Sequence, residues 1–424
     1  MNSIVKPFRR NVVLIVGTRP EAIKMAPLVC ALRREPWCQT TVISTAQHRE
    51  MLDQVLTLFE ITPDHDLDLL RAGQSLSALT GRALTGLEPL LAQIQPDNVV
   101  VQGDTTTTFA GALAAFYQQI PVAHLEAGLR TFDPYSPYPE EINRRLTSQL
   151  ANLHLAATST GRNNLLLDGI GPDRIVVTGN TVIDALHWSI ARPARLVDPQ
   201  LEQILRSGKR IILVTAHRRE SWGAGMRNIA SALSQVAEAY PDVEIVFPVH
   251  RNPVVRAAMH PALDRHTNVS LIEPLDYHEF CRLLDHAHLV LTDSGGIQEE
   301  APSLGKPVLV LRDTTERPEA VAAGAALLVG TNPARIVAAT AELLDDVVAY
   351  AAMSNAVSPY GDGRASERAV ASLAHFFGLG ERPLDFGDPV DGFRSPDDQG
   401  WRAHHAAKVL PAHGIPRLKC SGHG

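Results

Sequence analysis

Two doubly wound α/β units facing each other across a cleft are the fold class that this 424-residue sequence predicts. Three observations carry that expectation. Short β-branched apolar runs alternate with helical periodicity along most of the chain. The alternation stops at Ser189–Arg210, where Pro193, Pro199, Gly208 and local charge interrupt it, and then starts again. Acidic, basic and small residues gather where the apolar runs end, which is where a doubly wound sheet keeps its ligands.

In the first unit, strands are expected over Val12–Val16, Thr41–Ser44, Asn98–Val101, Val122–Leu125, Leu153–Ala156 and Ile175–Val177. Helical patterns fill the gaps, over Ala22–Arg34, His48–Phe59, Ser75–Ile94, Thr107–Tyr117 and Glu140–Asn152. The strands are continuously apolar rather than alternating, so the sheet should be parallel and covered on both faces. The second unit repeats the arrangement with Ile211–Thr215, Glu244–Pro248, Val269–Ile272, Leu289–Thr292, Val308–Leu311 and Ala326–Val329. The first unit is expected over residues 1–188 and the second over 189–363. No sequence repeat links them. Residues 379–424, rich in Pro, Gly, Asp and His, lack sustained apolar periodicity and read as a disordered tail.

A hydrophobic fraction of 45% against 20% charge is that of a soluble globular protein with enough apolar material for two cores. The net charge of −7 argues against nucleic acid as the main partner, so an anionic ligand must be met by local cations and helix N-termini. Cys30, Cys38, Cys281 and Cys420 show neither metal-ligand nor disulfide spacing, which suits a reducing cytoplasm. The basic N-terminus precedes an apolar run too short for a signal peptide, and no segment approaches a membrane span.

The most informative stretch is TDSGGIQEEAPSLGKPVLVLRDTTERPE, from Thr292 to Glu319. An apolar run ends in Asp293-Ser294-Gly295-Gly296, a small-residue turn that opens a helix carrying Glu299 and Glu300. Such a turn presents free N–H groups and the positive end of a helix to a phosphate. A carboxylate one turn further in could accept from ribose hydroxyls, and Arg312 and Arg317 follow the next strand. A plain helix cap is the competing reading of Ser-Gly-Gly alone. The loop Gly17-Thr18-Arg19-Pro20 has neither a dinucleotide nor a P-loop glycine pattern, but it sets Arg19 and Lys24 at a strand's carboxyl end. Asp104 and Glu126 close strands, Glu140 and Glu141 open a helix, and His217 and His250 end strands of the second unit. Each also has a local reading: a helix cap for Asp104, favourable dipole charge for Glu140, a locally bonded histidine for His217.

Taken together, VGTRPEAIKMAPL, TAQHREMLDQV, GDTTTT, HLEAGLRT, YSPYPEEINRRL, TGNTVIDAL, VTAHRRES, TDSGGIQEEAPSLGKPV, RDTTERPEA and SPYGDGRAS resemble the bacterial non-hydrolysing UDP-N-acetylglucosamine 2-epimerases. The resemblance runs in order from about residue 10 to 375 and leaves the tail uncovered. It implies two Rossmann-like domains in the GT-B arrangement, with a helix near 364–378 returning to the first domain. It implies an isomerase that interconverts UDP-GlcNAc and UDP-ManNAc by eliminating UDP to 2-acetamidoglucal and adding it back, with no cofactor and no metal.

Carried over motif by motif, the resemblance makes Asp104, Glu126 and Glu140 the acid–base and sugar-contacting carboxylates, and His217 the catalytic histidine near the diphosphate. It assigns Arg19 and Lys24 to the nucleotide side, Ser294, Gly295 and Gly296 to the diphosphate, Glu300 to the ribose, and Arg317 as a further cation. Phe280 belongs to the region that approaches the uracil. Gln47, Glu140, Arg218 and His250 match a site at which some members bind a second UDP-GlcNAc as activator, whereas Glu50 and Gly73 depart from it. Gln102, Phe132 and Leu275 also depart, standing where relatives carry His, Gly and a polar residue. A homodimer in the cytoplasm serving polysaccharide synthesis is the family's usual setting. The competing functions are a hydrolysing epimerase, an epimerase of a modified UDP-sugar, a GT-B glycosyltransferase and a non-catalytic nucleotide-sugar sensor.

Overall fold

Val12–Val16 carries no charge and only β-branched or leucine side chains, as a strand enclosed on both faces must. In a computed structural model this run lies in β1 (Arg10–Val16), paired in parallel on both sides. The structure describes residues 9–46, 49–69, 71, 73–192, 196 and 198–387, without the side chains of residues 49–51. The other strands of the first sheet are β2 (Cys38–Ser44), β3 (His65–Asp66), β4 (Asn98–Gln102), β5 (Val122–Ala127), β6 (Leu153–Ala156) and β7 (Ile175–Val177). They lie in the order β3-β2-β1-β4-β5-β6-β7, so strand order reverses between β1 and β4. A crevice opens there at the carboxyl ends.

The second sheet has the same design. Its strands are β8 (Arg210–Thr215), β9 (Val243–Pro248), β10 (Val269–Ile272), β11 (Ala287–Thr292), β12 (Val308–Val310) and β13 (Ala326–Leu328), in the order β10-β9-β8-β11-β12-β13. Its reversal falls between β8 and β11, next to Asp293. Every apolar run expected to form a strand does so. The sequence gives no sign of β3, because two polar residues carry no periodicity. Pairing of Ile43 with His65 and of Ser44 with Asp66 holds it instead.

One helix belongs to both halves. Thr181–Ala191 packs on Arg19–Leu32 on one side and on Tyr277–His286 and Gly295–Ser303 on the other. The C-terminal helix Ala365–Phe376 returns to the first unit and packs on Arg19–Leu32 and Thr181–Ala191. Buried Asp184 fastens its start, accepting from the N–H groups of Ala365 (3.1 Å) and Ser366 (2.8 Å). Residues 382–386, within the expected tail, are instead held against the first sheet. The Phe386 N–H donates to the Val177 carbonyl (2.7 Å), Asp385 accepts from the Val177 N–H (3.0 Å), and Arg382 reaches the Ile175 carbonyl (3.0 Å). Leu384–Phe386 thus covers the open edge of β7. Residues 388–424, the rest of that tail, lie outside the described residues. No described helix is long and apolar enough to cross a membrane.

His124 and His154 are register partners on β5 and β6, both fully buried. Burial pushes His124 down to about 4 and His154 to about 3, from 6.5. Both are therefore neutral in the folded protein, while the unfolded chain takes up protons near 6.5. Their contribution to stability is complete above that pH and drains away as the pH falls from 6.5 towards 4. Denaturant titrations should show a loss of a few kcal/mol over this interval, at about 1.4 kcal/mol per unit of separation. His154→Leu should make the slope shallower.

Candidate active site

The carboxyl end of β5 is where the first unit departs from regular geometry. The register of β5 against β6 shifts between Leu125 and Ala127, and Glu126 sits in the left-handed region with φ of +61°. For a non-glycine residue that conformation costs on the order of 1–2 kcal/mol, so its neighbours must hold it. They do so through the side chain, which is buried. Lys24 forms a short ion pair with Oε1, Asn180 Nδ2 donates to the same oxygen (2.9 Å), and Gln102 Nε2 donates to Oε2. Burial alone would push the Glu126 carboxyl up, but Lys24, with help from Arg317 and Asn180, overcomes this and brings it below the usual range. Burial likewise opposes the Lys24 charge, and Glu126 and Glu299 overcome it, so the ammonium stays protonated.

Lys24 reaches Glu126 because the first loop is tied down from beneath. Glu21 accepts from the N–H groups of Gly17 (2.9 Å) and Thr18 (2.7 Å), and from the hydroxyls of Thr105 (2.5 Å) and Thr108 (3.0 Å). Gly17 allows this closeness, since a Cβ there would stand 2.4 Å from the hydroxyls of Thr45 and Thr107.

Asp104 is not the cap of the helix Thr106–Tyr117. Thr105 takes that role by accepting from the Thr108 N–H. Asp104 instead pairs with Arg144 (2.7 Å). Burial raises its pKa and Arg144 only partly opposes this. Glu140 and Glu141 both stand in the first turn of Glu140–Leu150 but face different tasks. Half-buried Glu140 has its charge close enough for Asp104 to feel it. Glu141, fully buried, accepts from the N–H groups of Thr131 (3.0 Å) and Phe132 (3.2 Å) and so shapes the preceding loop. Phe132 is in the left-handed region, with φ of +64°, and is 62% exposed. A glycine would adopt that conformation without strain, and the Glu141 bond holds the aromatic residue in it.

The second unit faces this group with its own strand ends. Asp293, fully buried after β11, accepts from the N–H groups of His217 (2.7 Å) and Arg218 (2.8 Å). His217 Nδ1 lies 3.3 Å from the other Asp293 oxygen, and its ring stacks on His250 with centroids 5.6 Å apart. Burial keeps the His217 imidazole neutral near pH 7, with Asp293 opposing and Arg218 and His250 adding to the effect. Beside it is the Ser294-Gly295-Gly296 turn, where a Cβ on Gly295 would stand 3.1 Å from Glu316 Oε1, 3.5 Å from Arg317 Cζ and 3.7 Å from an Arg218 nitrogen. Three long side chains thus converge over one glycine. Glu299, on the helix that follows, accepts from Arg317 Nε (2.6 Å) and Asn180 Nδ2 (2.8 Å).

A cavity of about 620 Å³ separates the halves. Its walls include Arg19, Lys24, His217, His250, Phe280, Ser294, Gly296, Glu300 and Arg317, together with Leu275 and Tyr277. Glu126 meets it through Lys24. Asp104, Glu140 and Gly295 are not among the residues that line it. Gln47 lies outside the described residues, as does the side chain of Glu50. Sequence reasoning missed Asn180, Glu299 and Arg144 as parts of this assembly. Their partners are distant in the chain, and only the clustering of charge at strand ends hinted at them. Among the described residues no cluster of His, Cys, Asp and Glu is grouped to hold a metal ion.

Two parallel, doubly wound sheets with a cleft between their strand ends form the GT-B-like architecture of enzymes acting on nucleotide-sugars. The family model for UDP-N-acetylglucosamine 2-epimerase matches residues 30–374. The UDP-N-acetylglucosamine 2-epimerase of Yersinia pestis is 55% identical over 368 residues, covering 86% of this chain and 98% of its own. That of Escherichia coli K12 is 55% identical over 370 residues, covering 86% and 98%. The crystal structure of the Neisseria meningitidis enzyme bound to UDP-GlcNAc superimposes with a TM-score of 0.78 at 49% identity, covering 86% of this chain and 100% of that one. The chain belongs to the UDP-N-acetylglucosamine 2-epimerase family.

Glu300 is buried in the cavity wall, and burial beside Glu299 raises its pKa from 4.5 to about 8. In the folded protein it is therefore protonated at neutral pH, whereas the unfolded chain ionises near 4.5. Its contribution to stability is complete below 4.5 and is lost as pH rises towards 8. Glu300→Gln removes the titration. Its stability relative to the wild type should improve by a few kcal/mol between pH 5 and pH 8, measured by denaturant unfolding without ligand.

Proposed function

We propose that the protein interconverts UDP-GlcNAc and UDP-ManNAc without hydrolysis. The observation that carries this reading is buried Glu126, held by Asn180 and by Lys24, a lysine that lines the same cavity as Ser294, Gly296 and Arg317. A base held behind a lining lysine and an anion grip in the same cavity suit the loss of a proton from C2 and of UDP from C1 of one sugar. The C2–H electrons form the C1=C2 double bond as the C1–O bond breaks, and its electron pair leaves with UDP. In the return step UDP oxygen bonds to C1 and a proton reaches C2 from the opposite face, so more than one acid–base group is needed.

In this scheme Asp104, Glu126 and Glu140 share the proton transfers and sugar contacts. Arg19, Lys24, Arg317 and the Ser294–Gly296 N–H groups meet the negative charge that builds on the departing diphosphate. Neutral His217, whose Nδ1 faces Asp293, keeps its other nitrogen for the diphosphate side. Glu300 receives the ribose, and Phe280 lies on the uracil side. A second UDP-GlcNAc acting as activator near Arg218 and His250, a homodimeric assembly, a cytoplasmic location and a role in polysaccharide synthesis complete the reading.

Incubating the purified protein with UDP-GlcNAc in D2O and following proton NMR should give UDP-ManNAc carrying deuterium at C2. Neither C2 exchange nor ManNAc form would sink the proposal, and free ManNAc with UDP would make the enzyme a hydrolase. Glu126→Gln and His217→Asn should each lower turnover by roughly 10² to 10⁴-fold while UDP still binds. Turnover near wild type in either variant would overturn the residue roles.

A further inference from the structure

Asn180 is the only described side chain that hydrogen-bonds both Glu126 of the first unit and Glu299 of the second. Its amide orientation is fixed by its other bonds. Oδ1 accepts from the Val182 N–H (3.1 Å) as the cap of Thr181–Ala191, the helix shared by the two units, and its backbone N–H donates to the Tyr360 carbonyl (2.6 Å). With the oxygen committed to the cap, Nδ2 must face the two carboxylates, and its two hydrogens serve one each. Asn180 is only 2% exposed, so neither bond is shared with bulk water.

On either side of this amide the charges pair off. Glu126 is held by Lys24 and Glu299 by Arg317, and Arg317 lies over the Ser-Gly-Gly turn. A diphosphate arriving at that turn competes with Glu299 for the guanidinium. Whatever Glu299 loses from Arg317 it recovers by leaning on the Asn180 amide, and that amide is also a donor to Glu126. Bonds in such a chain polarise one another in a dry interior.

We propose that Asn180 is a positioning residue that couples occupancy of the diphosphate grip to the state of Glu126. This rests on the reading that the Ser294–Gly296 turn and Arg317 receive a diphosphate. Gln102 provides the contrast. It also donates to Glu126, through Oε2, but among the described residues it makes no hydrogen bond to the second unit.

The test compares Asn180→Ser with Gln102→Leu. Serine keeps a good helix cap and removes the amide donor. Both variants should lose turnover on UDP-GlcNAc by roughly ten- to a hundredfold, the effect of deleting a hydrogen bond to a charged group. Only Asn180→Ser should also weaken UDP, raising its calorimetric Kd by roughly fivefold or more, while Gln102→Leu leaves that Kd within about twofold. Asn180→Gly, a tolerated helix cap with no side-chain donor, should behave like the serine variant and provides the comparison if serine fails to fold. An unchanged Kd in the Asn180 variants, or an equal rise in Gln102→Leu, overturns the coupling. If the wild type binds UDP but does not convert the sugar, the epimerase reading fails while the Kd comparison still decides this one.

Discussion

Burying carboxylates at strand ends is the constraint on which the rest of the structure depends. A carboxylate in a closed interior is tolerated only when paired and hydrogen-bonded. Here Glu126 and Glu299 come from opposite units and share one amide. Lys24 and Arg317 balance them, and Glu316 extends the network to Arg312 (2.7 Å) and Arg218 (3.5 Å). Removing either cation would leave a buried carboxylate without its ion-pair partner. The same pairing that makes the interior tolerable keeps Glu126 ionised and so able to take a proton.

The fold delivers these groups because both sheets reverse direction where the charges sit. The ends of β1 and β4 lead to Lys24, Gln102 and Asp104, and those of β8 and β11 to His217 and Asp293; of these, Lys24 and His217 line the cavity. The helix Thr181–Ala191 joins the halves, and its cap is the residue that touches both carboxylates. The C-terminal helix, clipped to Asp184, packs on this helix and on the one that carries Lys24.

Most of the fold was legible because parallel strands buried on both faces must be continuous apolar runs, and Val12–Val16 or Leu289–Thr292 look like nothing else. The candidate site was legible as a set of strand-end residues, from Arg19 to Arg317, and in its Ser-Gly-Gly turn. What stayed hidden was who holds whom. Asn180 reads locally as a helix cap, and it is one, but its second role needs partners 54 and 119 positions away. Glu299 and Glu300 are neighbours in sequence with different environments: one is tied to Arg317, while the other is buried with its pKa raised to about 8. For Asp104 the local rule misled, since the next residue, Thr105, is as good a cap. The left-handed backbone of Glu126 and Phe132 also leaves no trace in residue type.

The central claim is that the pairing across the cleft keeps Glu126 ionised within a buried site. A carbon-13 NMR titration of carboxyl-labelled glutamates in the ligand-free protein tests it directly, with Glu126→Gln identifying the resonance. The account predicts that the Glu126 carboxyl titrates below its ordinary value of 4.5. A midpoint above 4.5 would mean that burial prevails over Lys24 and Asn180, and would contradict it.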